Sequence, residues 1–168
     1  MKDTIICSAR EFSADVGKLL LRITLAVAIF PHGAQKVLGV FGGNGLSATW
    51  TMFTEKLDIA APFAAIAIFT EFVGPILLVL GVFPRLLAGM LAVLMTVAAQ
   101  YGVKDGFFMN WSGTQAGEGA EYHVLFIGAA LALMMIGGGR FSLLRLVGEC
   151  DDDARGNEKT AEDDGVRR

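Results

Sequence analysis

Cysteine and histidine are scarce in this sequence. Its 168 residues include only two cysteines, Cys7 and Cys150, and two histidines, His32 and His123. A disulfide framework needs more cysteines, and no C-x-x-C pair is present for thiol redox chemistry or zinc. Glu121 and His123 are two positions apart and point to different sides of a helix. No metal site is therefore expected, and two histidines alone are a weak signal for haem.

An excess of basic charge is also missing. Lys and Arg number 14 against 17 Asp and Glu, so nothing indicates nucleic-acid binding. The C terminus is rich in charge and has no apolar periodicity, so it is expected to be disordered. The sequence divides into an N-terminal cytoplasmic segment, 1–17, a membrane domain, 18–144, and a polar tail, 145–168.

Apolar residues are abundant. They make up 54% of the chain, and the mean hydropathy of +0.54 is too high for an ordinary soluble domain. About 20 apolar residues suffice to cross a bilayer. Soluble helix bundles keep a polar face at 3.6-residue spacing, which these segments lack. The pattern predicts an all-α integral membrane four-helix bundle, with spans near residues 16–30, 59–83, 86–101 and 122–138.

The basic residues predict the orientation of the bundle, because Lys and Arg concentrate on the cytoplasmic side of inner-membrane proteins. Six of the Lys and Arg residues near the predicted spans fall on the side of the two termini, and three fall on the opposite side. This predicts a multi-pass inner-membrane protein with both termini in the cytoplasm and two long outward loops, 39–58 and 102–121. Glu11 and Asp15 argue against a cleaved signal peptide. Arg22 is expected to snorkel to the lipid headgroups.

Glu71 is the only charged residue between positions 59 and 83. A carboxylate inside a membrane costs roughly 2.5–3.5 kcal/mol on insertion scales and is usually paired and functional. Pro75 follows four residues later and cannot donate to the Glu71 carbonyl. Kinks are expected at Pro75 and at Pro31, which ends or bends the first helix. A structural carboxylate bonded to a neighbouring helix is the alternative to a proton- or ligand-handling group.

Both histidines, together with Gln35, Lys36 and Glu121, lie at the outer ends of the predicted spans. Glu71 lies about 12 residues into its helix, or roughly 18 Å below the outer end, and is expected to be deeper than the histidines. Together they predict a polar funnel that opens outward with Glu71 at its floor. Its candidate members are His32, Gln35, Lys36, Glu71, Glu121 and His123.

Three sets of residues resemble the signature of the DoxX family of small membrane proteins. They are Arg22 and 30–39 in the first helix, 71–74 and 80–85 around the second, and 117–122 and 137–143 around the fourth. One departure is Leu144, where the family usually has an acid. The resemblance implies a four-helix membrane protein, and some relatives associate with redox or sulfur-handling enzymes.

Three functions remain open. In the first, the chain is a redox-associated membrane subunit whose funnel binds quinone or a small sulfur anion. His32 and Lys36 would hold the ligand, and Glu71 and Glu121 would move protons. No flavin, haem or iron–sulfur motif is evident, so a partner enzyme would be needed. The second is a non-catalytic scaffold that anchors a soluble enzyme, and the third is a small-solute carrier.

Small residues four apart allow close helix contact within the bundle or between protomers. Two such pairs are Ala88 with Ala92 and Gly128 with Ala132. The sequence is therefore compatible with a homo-oligomer as well as with a monomeric bundle.

Overall fold

The computed structural model describes residues 2–102, 104, 106–114, 117, 119–143 and 145. This part contains five α-helices and no strand, which confirms the all-α prediction. The helices are α1 (Lys2–Leu38), α2 (Gly45–Thr51), α3 (Ala61–Leu80), α4 (Pro84–Gly102) and α5 (Glu121–Ile136). Cys150 and the predicted disordered tail, except residue 145, lie outside the described residues.

The first helix is much longer than the predicted span 16–30. At 1.5 Å per residue its 37 residues extend for roughly 55 Å. Residues 2–15 carry too many charges to belong to an apolar segment, yet they continue the same helix. The expectation that Pro31 could end the helix was wrong, because α1 runs on to Leu38. Likewise α3 continues through Pro75.

The region predicted as an outward loop, 39–58, is largely helical. It contains α2 and a π-helical turn, Met52–Lys56. Phe53 of this turn is buried with Ala64 and Ile68 of α3, and Val37 packs against the same group. The Gly-rich stretch that indicated a flexible loop covers only the connection between α1 and α2. This region therefore lies against the first half of α3.

Helices α3 and α4 are joined by a tight turn at residues 81–83. Gly81 ends α3 in the left-handed region, with φ of 75°, which glycine adopts without steric cost. We call this side of the bundle the turn end. The opposite side, where α1 ends and α3 and α5 begin, carries the long connections 39–60 and 103–120, and we call it the loop end.

The helices form two closely packed pairs. α1 packs mainly on α3, and α4 mainly on α5. Leu25, Leu78, Leu91 and Leu133, one from each of these helices, meet in a common buried core. Ala88 and Ala92 are buried there, as close packing requires. Gly128 and Ala132, in contrast, are exposed on α5.

Large apolar side chains are exposed on all sides of the bundle. Examples are Val27 on α1, Phe63 on α3, Val93 on α4 and Met135 on α5, each at least 66% exposed. By length and composition, one helix of the described residues could cross a membrane. It is α3, with a mean hydropathy of 2.3 in its apolar window. The apolar parts of α4 and α5 are shorter.

Candidate functional site

The closest approach between α1 and α3 occurs at Gly33. A Cβ atom added to Gly33 would overlap the backbone carbonyl of Glu71. That carbonyl is the one that Pro75 cannot bond, because proline has no N–H. Glycine on α1 therefore lets the two backbones touch at the position where α3 has lost a helical hydrogen bond.

This contact brings Lys36 and Glu71 together. Lys36 Nζ forms an ion pair with Glu71 Oε2. The Glu71 side chain is only 7% exposed and that of Lys36 26%, so the pair is largely shielded from solvent. In apolar surroundings a charge is tolerated when it is paired and hydrogen-bonded. Lys36 thus provides the ion-pair partner of Glu71, the only charged residue of the apolar stretch 59–83.

The segment after α1 holds Lys36 in place. Thr49 Oγ1 of α2 donates to the Lys36 carbonyl at 3.1 Å. The Phe53 ring lies under the ammonium, with 5.4 Å between Nζ and the ring centroid. A cation over an aromatic face is attracted by the ring quadrupole. Neither residue was foreseen as part of a site, since a loop prediction gives no register for its side chains.

Glu71 is not deeper than His32. Gly33 touches the Glu71 backbone, so His32, the preceding residue, lies at nearly the same level. The expected offset assumed that α1 and α3 begin and end together at the loop end. Instead α3 starts about 15 Å above Glu71 at 1.5 Å per residue, and α2 with the π-helical turn lies beside that upper part.

The other residues of the predicted funnel have separate surroundings. His32 is exposed. Gln35 Nε2 donates to the Phe41 carbonyl at 3.0 Å and so stabilises the turn after α1. Within the described part of the chain, neither makes a hydrogen bond to the Lys36–Glu71 pair.

Glu121 and His123 lie in the first turn of α5. Glu121 Oε2 accepts a hydrogen bond from the Met109 amide at 3.1 Å, which ties the preceding connection to the helix. An acid at this position also suits the positive end of the helix dipole. His123 Nδ1 is buried and has no hydrogen-bond partner within the described residues. The structure therefore brings together Lys36 and Glu71, while Glu121 binds the segment that precedes α5.

Arg22 lies at the turn end and is fully buried. Its Nη2 donates to the Phe141 carbonyl at 2.7 Å, while Nε and Nη1 have no partner among the described residues. The expectation that Arg22 would snorkel to the headgroups was wrong. Arg22, Gly81 and Phe141 all belong to the residues that resemble the family signature, but the contacts among them were not predicted.

Ser142 and Asp15 complete this end of the bundle. The Ser142 hydroxyl donates to the Gly81 carbonyl, and Asp15 pairs with Lys18 at 2.8 Å. The hydrogen bond from Lys18 holds the pKa of Asp15 below its ordinary value. In the described ranges no group of three or more His, Cys, Asp or Glu side chains could hold a metal ion.

A comparison with known protein families gives a match. The model of the DoxX family matches residues 17–111, which is more than half of the chain and covers α3, α4 and most of α1. The resembling residues around α5 lie beyond the matched range. No curated protein and no solved structure matches the chain. The chain belongs to the DoxX family and is a membrane protein.

Proposed function

We propose that the chain crosses the inner membrane four times, through α1, α3, α4 and α5, with both termini in the cytoplasm. The apolar side chains exposed around all four helices support this, because they need an apolar solvent. α5 has 16 residues and spans about 24 Å, less than the roughly 30 Å of a bilayer core. Local thinning and interfacial side chains accommodate such a difference at modest cost.

The orientation is tested with reporters fused after Arg168. A reporter that is active only in the cytoplasm should be active when it is fused after Arg168, because the turn end has more basic residues than the loop end. Activity restricted to a periplasmic reporter would contradict the proposed orientation.

We propose further that the protein is a membrane subunit that supports the redox chemistry of a partner enzyme, with the Lys36–Glu71 pair at its centre. The observation that carries this proposal is the ion pair itself, formed halfway along the most apolar helix. Ionisable residues inside membrane segments are expensive, and they usually mark ligand sites or proton relays.

A quinone is the ligand that suits the surroundings of the pair best. An apolar groove of about 700 Å³ lies between α1, α2 and α3. The rings of Trp50, Phe69 and Phe72 line it, and so does Val37. Val37 and Phe72 directly follow the two members of the ion pair in the chain. Neither Lys36 nor Glu71 lines the groove itself. Its flat aromatic walls fit a quinone ring, and a ring carbonyl at the edge near Val37 would take a hydrogen bond from the Lys36 ammonium.

The chemistry of quinone reduction assigns roles to these residues. A quinone takes up two electrons and two protons to become a quinol. The electrons would come from the partner enzyme. Glu71 would carry protons towards the ring oxygens, and Lys36 would stabilise negative charge that develops on them. A small sulfur anion would instead compete with Glu71 for Lys36.

The redox proposal is tested by purifying the full chain in mild detergent, with identification of partners and an absorbance spectrum. We expect a flavin or haem enzyme to copurify. A photoreactive quinone should label peptides within residues 37–73, and excess unlabelled quinone should remove the label. A colourless complex without such labelling would contradict the redox role.

The scaffold alternative is favoured by one feature of the same pair. Lys36 and Glu71 neutralise each other, and Gly33 fixes the two backbones beside them. Such a closed pair can serve as a clamp between helices with no chemistry, in a protein that only anchors a soluble enzyme.

Exchanging the two charges separates these functions. In the double variant K36E/E71K the attraction is kept and the positions are reversed. A clamp should recover most of the stability and partner activity lost in the single variant E71K. A proton- and ligand-handling pair should recover stability but not activity. Full activity in the double variant would establish the scaffold.

A further inference from the structure

A second cavity lies at the turn end, far from the Lys36–Glu71 pair. It has a volume of about 600 Å³ and opens between α1, the start of α4 and the segment after α5. Three of its lining side chains are basic: Lys18, Arg85 and Arg145. None of the described side chains that line it is acidic, and Asp15 pairs with Lys18 from outside the lining. Asp15 balances the charge of Lys18, and Arg85 supplies the positive charge that no acidic side chain among the described residues pairs.

Three consecutive glycines form one wall of this cavity. Gly137 and Gly139 have φ of 77° and 73°, which disfavours larger residues. A Cβ on Gly137 would lie 2.9 Å from Arg85 Nε, and one on Gly139 would lie 2.9 Å from Lys18 Cδ. The two basic side chains thus rest directly against the backbone of the glycine turn, and this turn sets their spacing.

Buried Arg22 adds positive potential behind the cavity. Its guanidinium lies next to Gly81 and Ser142, and Ser142 lines the cavity. Two of the guanidinium nitrogens have no partner among the described residues. A buried cation without a full set of partners is costly, and a nearby anion would reduce that cost.

The rim of the cavity is apolar. Phe83, Leu86 and Ile136 line it and are exposed by 61%, 61% and 48%. Leu86 and Ile136 belong to the exposed apolar surfaces of α4 and α5. A ligand that fits this site has an anionic group for the basic side chains and hydrocarbon for the rim.

We propose that this cavity binds the phosphate of an anionic phospholipid, with Arg85 and Lys18 as its main contacts and the acyl chains along α4 and α5. Arginine matches phosphate well because its planar guanidinium can donate two hydrogen bonds. Basic pockets between membrane helices are suited to acidic headgroups. The proposal depends on the four-span arrangement, because it places the turn end at the headgroup level. It does not depend on the redox role.

The test uses the full-length protein in mild detergent and counts retained lipid by native mass spectrometry. Phosphatidylglycerol, phosphatidylcholine and inorganic phosphate are added separately. We expect retention of phosphatidylglycerol and not of phosphatidylcholine. The variant R85Q should weaken retention about fivefold, since each basic residue near an anionic headgroup contributes about that factor. R85K should keep most of it.

Lys56 provides the matched control. It is an exposed lysine near the loop end, so K56Q removes one positive charge outside the cavity and should leave retention unchanged. If R85Q fails to purify, K18Q replaces it and the same result is expected. Equal retention by the cavity variant and K56Q, or equal retention of the two lipids, would overturn the proposal.

Inorganic phosphate distinguishes the two sources of the anion. If millimolar phosphate raises the thermal unfolding midpoint as much as phosphatidylglycerol does, the cavity is a site for a free anion and the lipid proposal fails. A periplasmic location of the C terminus, together with normal retention of phosphatidylglycerol, would overturn the orientation and leave the cavity proposal standing.

Discussion

The loop end and the turn end hold buried charge in different ways. At the loop end, Lys36 meets a carboxylate, and both charges are neutralised inside the bundle. At the turn end, Arg22 meets only a backbone carbonyl and keeps two nitrogens without described partners. The first arrangement is complete in itself. Among the described residues the second has no acidic partner for Arg22, and Arg85 of the adjacent cavity has none either.

This difference indicates distinct roles for the two ends. A neutral, shielded ion pair joins two helices. It breaks only when one partner changes its protonation state or binds a ligand in place of the other partner. A buried cation that has no acidic partner among the described residues can attract an anion. The two ends therefore predict different responses to the loss of one charge.

The largest effect is expected from Lys36→Met. Removing one partner of a buried ion pair leaves the other charge unpaired, and this costs about 3–5 kcal/mol. Among the described residues, Arg22→Met leaves the Phe141 carbonyl without its donor, so its cost should be about 1–3 kcal/mol. Unfolding of both variants in mixed detergent measures the difference. Lys56→Met is the control, with an expected change within about 0.5 kcal/mol. Equal costs at the two ends would break the comparison.

A smaller effect is expected from Gly33→Ala. The added methyl overlaps the Glu71 carbonyl, and a backbone atom cannot move aside like a side chain. Overpacking of this kind costs about 1–3 kcal/mol. Gly17→Ala on the same helix is the matched control, because a Cβ there meets no atom within 4 Å.

The Gly17→Ala variant should gain stability, because alanine favours helix by up to about 1 kcal/mol over glycine. The same unfolding assay measures both changes. If Gly33→Ala proved as stable as Gly17→Ala, α1 and α3 would not touch at this position.

The smallest effect concerns Asp15, which precedes the apolar part of α1. Lys18 lowers the pKa of this carboxyl from the ordinary 3.8, so the folded state binds its proton more weakly than the unfolded state. The pair therefore stabilises the protein above the unfolded pKa, and this stabilisation is lost as the pH falls through the lower folded pKa.

Asp15→Asn should accordingly be less stable than the wild-type chain at neutral pH, and the difference should shrink as the pH falls below about 4. Acid titration of thermal unfolding gives the measurement, with the exposed Glu11→Gln as control. A difference that grows towards low pH would contradict the contribution assigned to the Asp15–Lys18 pair.

Much of the helical content could be predicted from apolar runs alone. The predicted span 59–83 corresponds to α3, Ala61–Leu80, because the apolar run and the helix nearly coincide. For α1 the same method failed, since residues 2–15 form helix without being apolar. α2 and the π-helical turn were missed because a helix of seven residues has too few positions to show a period.

The site was harder to predict than the helices. Glu71, Pro75 and Lys36 were each identified from the sequence, but the contact between Lys36 and Glu71 was not. A sequence gives the depth of a residue along its own helix and gives no offset between neighbouring helices. Here Gly33 sets that offset, because its lack of a side chain lets α1 touch the Glu71 backbone.

The two contacts of α1 with its neighbours also fix the length of chain between them. Arg22 lies beside Gly81, and Gly33 lies beside Glu71. Insertion of one residue between positions 22 and 33 would turn the rest of α1 by about 100° and misalign one contact whenever the other is kept. Natural and engineered length changes should therefore be absent from this interval.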